Sequence, residues 1–276
     1  METKEHGKYF RATSDLGFRK IFGAEANEPL RIQLLNSIIT DRTVVSARLL
    51  EAIHVVNAQS RSEFDLYCEF NDGQRAIVEM QKWSRGRFMD RALAYSAMAI
   101  LDKAKRKWNY DYGKVYFIGI LDYVHFPGRA QALTRVSLQT EGDHLVTNDN
   151  YLQIFVELPK LAAKGKAVGG EGFLRALRDV GRSDDRQEDY QASELDSLYE
   201  AAKFSHLNKD EIKAYESEMS TKEDFQEWHE HEMQLAKEKT REEAKRETAR
   251  KMLDNGIKPE VIMDCTGLTE EDLKAL

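Results

Sequence analysis

The chain is poor in three features that would have narrowed its class at once. Cysteine is scarce: of 276 residues only Cys68 and Cys265 are of this type, too few for a disulfide framework or a thiolate metal cluster, and a reducing, cytoplasmic setting fits best. Long hydrophobic runs are missing. The longest, VYFIGIL at Val115–Leu121, falls far short of the ~20 apolar residues that cross a bilayer, and the opening METKEHGKYF lacks the apolar centre of a secretory signal. No membrane role is expected. An excess of positive charge is also absent. The net charge is −7 with 32% of residues charged, which weighs mildly against nucleic acid, because phosphate is bound mainly by cations. Distribution outweighs the sum: Lys82, Arg85, Arg87 and Arg91 cluster, Lys103, Lys105, Arg106, Lys107 and Lys114 follow, and much of the acid lies in the last hundred residues.

What is present centres on Glu63–Lys82, EFDLYCEFNDGQRAIVEMQK, which reads as a β-hairpin. Strict alternation puts Phe64, Leu66, Cys68 and Phe70 on one face with Ala76, Val78 and Met80, and Asp65 and Glu69 on the other with Arg75, Glu79 and Gln81. A three-residue loop Asn71-Asp72-Gly73, with Gly73 left-handed, keeps the apolar sets together. That register pairs Phe64 with Met80, Leu66 with Val78, Cys68 with Ala76, Glu69 with Arg75, and Asp65 with Glu79. Two carboxylates whose Cβ atoms stand roughly 4.5–5.5 Å apart repel unless a proton or cation lies between them. A hard divalent cation with oxygen ligands answers this; the alternative is a solvated face where acids happen to fall together.

An Asp on one strand and Glu-x-Gln on the next, followed by a helix, resembles the PD-(D/E)xK nucleases, with Gln81 where Lys is commonest. More narrowly, the chain is similar to the PD-(D/E)xK family transposases, or recombination-promoting (Rpn) nucleases. The residues are Ser14-Asp15-x-x-Phe18-Arg19-Lys20-x-Phe22-Gly23, Asp65, Val78-Glu79-Met80-Gln81, Arg91-x-x-x-Tyr95, the strand Val115–Leu121 and Val156-Glu157-Leu158-Pro159-Lys160. The resemblance implies an α/β restriction-endonuclease-like core, αβββαβ, whose mixed sheet is flanked by helices, with an α-helical carboxyl-terminal extension. It also implies Mg²⁺ or Mn²⁺ held by Asp65, Glu79 and the carbonyl of Met80, catalysis by these acids with Gln81, and an extra acid from the first helix, Asp15. DNA is the implied substrate, without a small-molecule cofactor.

Read in order, Thr13 or Ser14 can cap a short helix burying Phe18, Ile21 and Phe22, with Gly23 as terminator; Asp15 then has an ordinary place in the first turn beside its catalytic one. Pro29–Ile39 continues as a helix through Leu30, Leu34, Leu35 and Ile38. Leu49–Val56 fits a helix or a strand. Gly86–Trp108 reads as a long helix with an apolar stripe of Met89, Leu93, Ala97, Ile100 and Ala104, while Arg87, Arg91 and Tyr95 share another face at steps of four. Those three, with Lys82 and Arg85, are candidates for binding DNA phosphate; a solvated face packed on Asp90 is the alternative. Strands Leu133–Thr140 and Tyr151–Leu158 flank a turn near Glu141-Gly142-Asp143, and helices follow at Gly172–Val180, Ser193–His206 and Lys209–Met219.

The expected division is a nuclease-like domain at 1–165, a helical extension at 166–221, a charged stalk at 222–254 and a small helical tail at 255–276. His229-Glu230-His231 is not H-E-x-x-H and reads as surface histidines. Two short helices around Thr266-Gly267-Leu268 resemble a helix-turn-helix without a basic reading face, which favours a packing or oligomerising tail.

The leading reading is a metal-dependent DNA endonuclease of recombination or transposition. A neutral amide at Gln81 leaves charge neutralisation to the ion and nearby arginines, so strong dependence on the ion and modest turnover are expected. A non-catalytic DNA-binding or assembly protein of the same fold, or a nuclease turned against invading nucleic acid, are the alternatives. Double-strand cutting with one site per chain would imply a homodimer.

Overall fold

The computed structural model describes residues 7–51, 64–83, 87–104, 112–163, 166–220, 245–253 and 257–267. It divides into two compact units, 1–216 and 217–276. In the first, helices α1 (Asp15–Phe22) and α2 (Glu28–Ile38) precede strands β1 (Arg48–Leu49), β2 (Leu66–Glu69) and β3 (Arg75–Gln81). Helix α3 (Phe88–Ala104), strands β4 (Val115–Leu121), β5 (Leu133–Gln139) and β6 (Val146–Glu157), and helices α4 (Gly169–Asp179) and α5 (Asp196–Ala201) follow. The six strands form one mixed sheet in the order β1-β2-β3-β4-β6-β5. The expected core order holds, with Leu49 in a short strand and 52–56 outside the described residues. Strand β3 runs parallel to β4 and β4 to β6, while β1/β2, β2/β3 and β5/β6 are antiparallel. β4 is buried along its whole length, which is why VYFIGIL is apolar without alternation.

Local chemistry explains the elements. The Ser14 Oγ accepts the Gly17 N–H at 2.8 Å and caps α1, whose Phe18, Ile21 and Phe22 are buried. In α2, Leu30, Leu34, Leu35 and Ile38 are buried as their spacing requires. The hairpin has the expected register: Leu66 faces Val78, Cys68 faces Ala76 and Glu69 faces Arg75. The Gly73 N–H donates to the Phe70 carbonyl at 2.9 Å and the Phe70 N–H to the Gln74 carbonyl at 2.8 Å, with Gly73 left-handed at φ 77°. An alanine there would carry a Cβ in that conformation, so Gly73→Ala is expected to cost about 1–2 kcal/mol in denaturant unfolding, with no effect on which face Glu79 occupies.

Expectations at α3 and at Phe64 change. The α3 stripe is displaced by one position: Phe88, Ala92, Ser96 and Ala99 are buried, while Leu93 is 58% exposed. The sheet face below α3 carries the large groups Ile77, Phe117, Leu121 and Phe155, so small helix residues give the closer approach. Phe64 does not continue the alternation opposite Met80. It packs with Tyr67 and Tyr95 on the α3 side, at ring distances of 5.6 and 4.9 Å.

The span 193–206 is not one helix. α5 is flanked by 3₁₀ turns, because the backbone at 202–204 pairs with the amino-terminal segment: the Phe10 N–H donates to Ala202 O at 2.9 Å and the Phe204 N–H to Lys8 O at 3.1 Å. A helix at 209–220 follows. In the second unit a helix at 245–253 packs on the helix Pro259–Thr266 through buried Ala249 and Ile262, with Met252, Leu253 and Met263 around them. Gly267 closes the latter at φ 71°. Most of the stalk, His229-Glu230-His231 and Thr269 lie outside the described residues. Among the described residues no helix is long and apolar enough to cross a membrane.

Candidate active site

The carboxyl ends of the three parallel strands lie level, with Gln81, Leu121 and Glu157 in register, and this is the sheet edge where open α/β folds bind their ligands. Glu79 sits two residues before that edge on the face covered by α3. Its neighbours across the sheet are Gly119 and Phe155. A Cβ on Gly119 would meet Phe155 Cδ1 at 2.9 Å and Phe88 Cζ at 3.1 Å, so the missing side chain lets two aromatic rings close beside Glu79. The result is a carboxyl only 5% exposed. Burial, and then the negative charge of Asp65, push its pKa up to about 8, against a smaller pull from the Arg91 guanidinium.

Asp65 is placed by an interrupted ladder. β2 begins at Leu66, so the next amide of β3, the Met80 N–H, has no strand carbonyl opposite and donates to Asp65 Oδ2 at 2.8 Å. Asp65 Oδ1 accepts Arg19 Nε from α1 at 2.9 Å. Burial raises the Asp65 pKa, and these two donors oppose the rise. Glu79 Oε1, in contrast, is buried with no hydrogen-bond partner among the described residues. An orphaned carboxylate oxygen beside a second carboxylate is an incomplete set of hard donors. With the Met80 carbonyl and water, these residues fit Mg²⁺ or Mn²⁺.

Around this pair, Gln81 Nε2 donates to the Met80 carbonyl at 3.2 Å, and Gln81 Oε1 accepts from Arg91 Nη2. Arg91 Nε is buried without a partner among the described residues, and its guanidinium lies over the Phe88 ring at 5.4 Å. The pKa of Tyr95 is raised by burial and by the charge of Glu79. Asp65, Glu79, Met80, Gln81, Arg91 and Tyr95 are therefore brought together.

The remaining expected residues are placed differently. Arg87 precedes α3 rather than sharing its face, is exposed, and lies 3.5 Å from Asp90. Lys82 is enclosed rather than presented to solvent, its side chain 6% exposed and its Nζ 3.8 Å from Asp15 Oδ1. Asp15 follows the capping residue with its side chain 63% exposed, and its charge reaches Asp65. Arg85 lies outside the described residues.

Two residues were not among the expected site groups. Arg19 falls one helical turn after Asp15, and the pattern Asp15-x-x-x-Arg19 was the available signal. Tyr123 had none. It is carried on the segment after β4, which Glu157 fixes: this fully buried carboxylate accepts the N–H groups of His125 and Phe126 at 2.7 and 2.9 Å and Lys160 Nζ at 2.6 Å. The Tyr123 hydroxyl is buried without a partner among the described residues. Burial raises its pKa, against the charge of Arg91.

A family model described as PD-(D/E)XK nuclease family transposase matches residues 12–232, and one described as Rpn/YhgA-like nuclease family, C-terminal HTH domain, matches 242–276. The second match supports the helix-turn-helix resemblance at the carboxyl end, since it includes the helix Pro259–Thr266 and its glycine stop. Neither the curated proteins nor the solved structures contain a match. The first match runs from α1 through the whole sheet and both acids of the site, and the chain belongs to the PD-(D/E)XK nuclease family transposases.

Proposed function

We propose that this protein is a metal-dependent DNA endonuclease that hydrolyses phosphodiester bonds in the recombination or transposition of mobile elements. The observation that carries the reading is the pair Asp65 and Glu79, the first with its side chain 8% exposed and the second buried with an oxygen that no group among the described residues satisfies. Asp65, Glu79 and the Met80 carbonyl hold the divalent ion. When bound, that ion supplies Lewis acidity to a phosphoryl oxygen and acidity to a coordinated water. Gln81 orients the attacking water or donates to the scissile phosphate, while Arg91 steadies Gln81 through its side-chain oxygen. Arg91 also supplies the positive charge that an amide at position 81 lacks. The nuclease domain spans 1–165, and the carboxyl-terminal helices, matched by an HTH model, hold DNA.

Plasmid nicking by the purified full chain is the test. Nicking is expected with Mg²⁺, is expected to stop on chelation, and is expected to fall to background in Asp65→Ala. Equal nicking by wild type and Asp65→Ala rejects the assignment. Metal-independent DNA binding with no cleavage product leaves the non-catalytic DNA-binding version instead.

A further inference from the structure

Asp65 has two oxygens and both are engaged, but their partners differ in kind. Oδ2 is held by a backbone amide of β3, a strand held by its pairing with β4. Oδ1 is held by Arg19 Nε, whose side chain is 47% exposed and sits on a long, rotatable stem. One partner is part of the frame, and the other can leave. The neighbouring residue Lys20 points elsewhere, its Nζ 2.7 Å from Glu211, so the contact is specific to one position of α1. Resting on the nuclease reading above, we infer that Arg19 is a latch on Asp65. The guanidinium and a divalent cation compete for Oδ1, and the released guanidinium turns to the phosphate group of the substrate.

Both halves follow from charge. A carboxylate oxygen already accepting a charge-assisted hydrogen bond is a poorer ligand until that bond is given up. Once the cation neutralises the two acids, the tie of the guanidinium to Asp65 Oδ1 weakens and it faces incoming phosphate, which it matches in geometry. The arrangement keeps Asp65 in place before the ion arrives. It also makes ion capture and presentation of a phosphate-binding cation one event. Arg19 is thus a positioning residue for Asp65 and, after exchange, a contact to substrate.

The experiment compares wild type with Arg19→Met, Arg19→Lys and Lys20→Met. Mn²⁺ alone is titrated calorimetrically into each full-length protein, and plasmid nicking is then measured at saturating Mn²⁺. Removing the latch is expected to tighten Mn²⁺ binding about tenfold, the equivalent of about 1.4 kcal/mol, while nicking at saturation falls about tenfold. Arg19→Lys is expected to lie between Arg19→Met and wild type in both measurements. Lys20→Met, which removes the same charge one residue away, is expected to match wild type.

A merely structural Arg19 gives the opposite sign, since a loosened Asp65 would bind the ion more weakly. Mn²⁺ affinity in Arg19→Met equal to or below that of wild type overturns the latch. So does an equal gain in Lys20→Met, which would mean a general field effect. Tighter Mn²⁺ binding in Arg19→Met without nicking by any protein supports the ion exchange but overturns the nuclease reading and, with it, the turn to phosphate. No Mn²⁺ binding by any of them overturns both.

Discussion

Glu79→Gln is expected to abolish cleavage and, at pH 8, to make the protein more stable. The substitution keeps the shape of the side chain and removes the charge, so the apolar wall of Gly119, Phe88 and Phe155 is undisturbed. Loss of an acid that holds the ion should cost about 10³-fold in nicking rate, since metal stabilisation of the transition state is worth several kcal/mol. Stability moves the other way. Glu79 has a folded-state pKa of about 8 against an ordinary 4.5, so between these values the folded chain keeps a proton that the unfolded chain has released. Raising the pH across that window favours unfolding. The wild type is therefore expected to lose on the order of 4 kcal/mol of this group's contribution between about pH 4.5 and pH 8, and the glutamine variant to lose none of it. Thermal melts at pH 8 should place the variant roughly 8 °C or more above wild type, and at pH 4 the two should converge. Adding Mg²⁺ should raise the melting point of wild type at pH 8, because binding to the folded state alone is stabilising, and should leave the variant unmoved. A variant that still nicks, or that melts below wild type at pH 8, removes the buried acid from the centre of the mechanism.

That acid could be found in the sequence because three local signals agreed. The NDG turn, the alternation on both strands and the complementary pair Glu69 and Arg75 all require one register, and the hairpin has it. Where a single local signal stands alone, the fold overrides it. Spacing alone gives the α3 stripe Met89, Leu93, Ala97, Ile100 and Ala104, but the sheet below already holds Phe117 and Phe155, and the space left suits Ala92, Ser96 and Ala99. Rotation by one position still leaves Arg91 and Tyr95 beside Glu79, since they flank the buried line on the sheet side. Asp65 reads as a strand residue by alternation, yet it acts as a cap for the Met80 amide, which depends on where the ladder stops. Arg19 and Tyr123 enter the site from 46 residues before Asp65 and from beyond α3. A short-range pattern cannot report such neighbours. The same holds for Lys82, whose enclosure against Asp15 is a property of the fold and not of the basic run in which it sits.

The second large effect concerns an arginine that the pairing with Glu69 identifies but does not explain. Arg75 is 1% exposed, and its guanidinium ties three elements together: Nε donates to Glu69 Oε2 of β2 at 3.1 Å, and Nη1 donates to the Tyr67 hydroxyl at 2.6 Å and to Asp102 Oδ2 of α3 at 2.7 Å. Its backbone N–H donates to the Lys114 carbonyl at 3.0 Å, where the chain enters β4. The guanidinium also stands over the Tyr67 ring at 5.5 Å. A buried cation of this kind gains little over an apolar residue in an equally well-packed core, but removing it alone strands the acids that faced it. Here the acids keep some water, Glu69 and Asp102 being 22% and 30% exposed, and Glu69 retains Arg48. Arg75→Met is therefore expected to cost about 3 kcal/mol, the lower end of the range for breaking a buried pair, and to lower the melting temperature by roughly 6–12 °C. Tyr67→Phe in the same background should add little, since the hydroxyl has already lost its donor, whereas alone it should cost about 1 kcal/mol. Because the clamp fixes the turn end of β3 and Glu79 lies near the other end, nicking by Arg75→Met well below its melting temperature should stay within about threefold of wild type. A loss as deep as that of Glu79→Gln would mean that the clamp sets the geometry of the acids as well as the stability of the sheet.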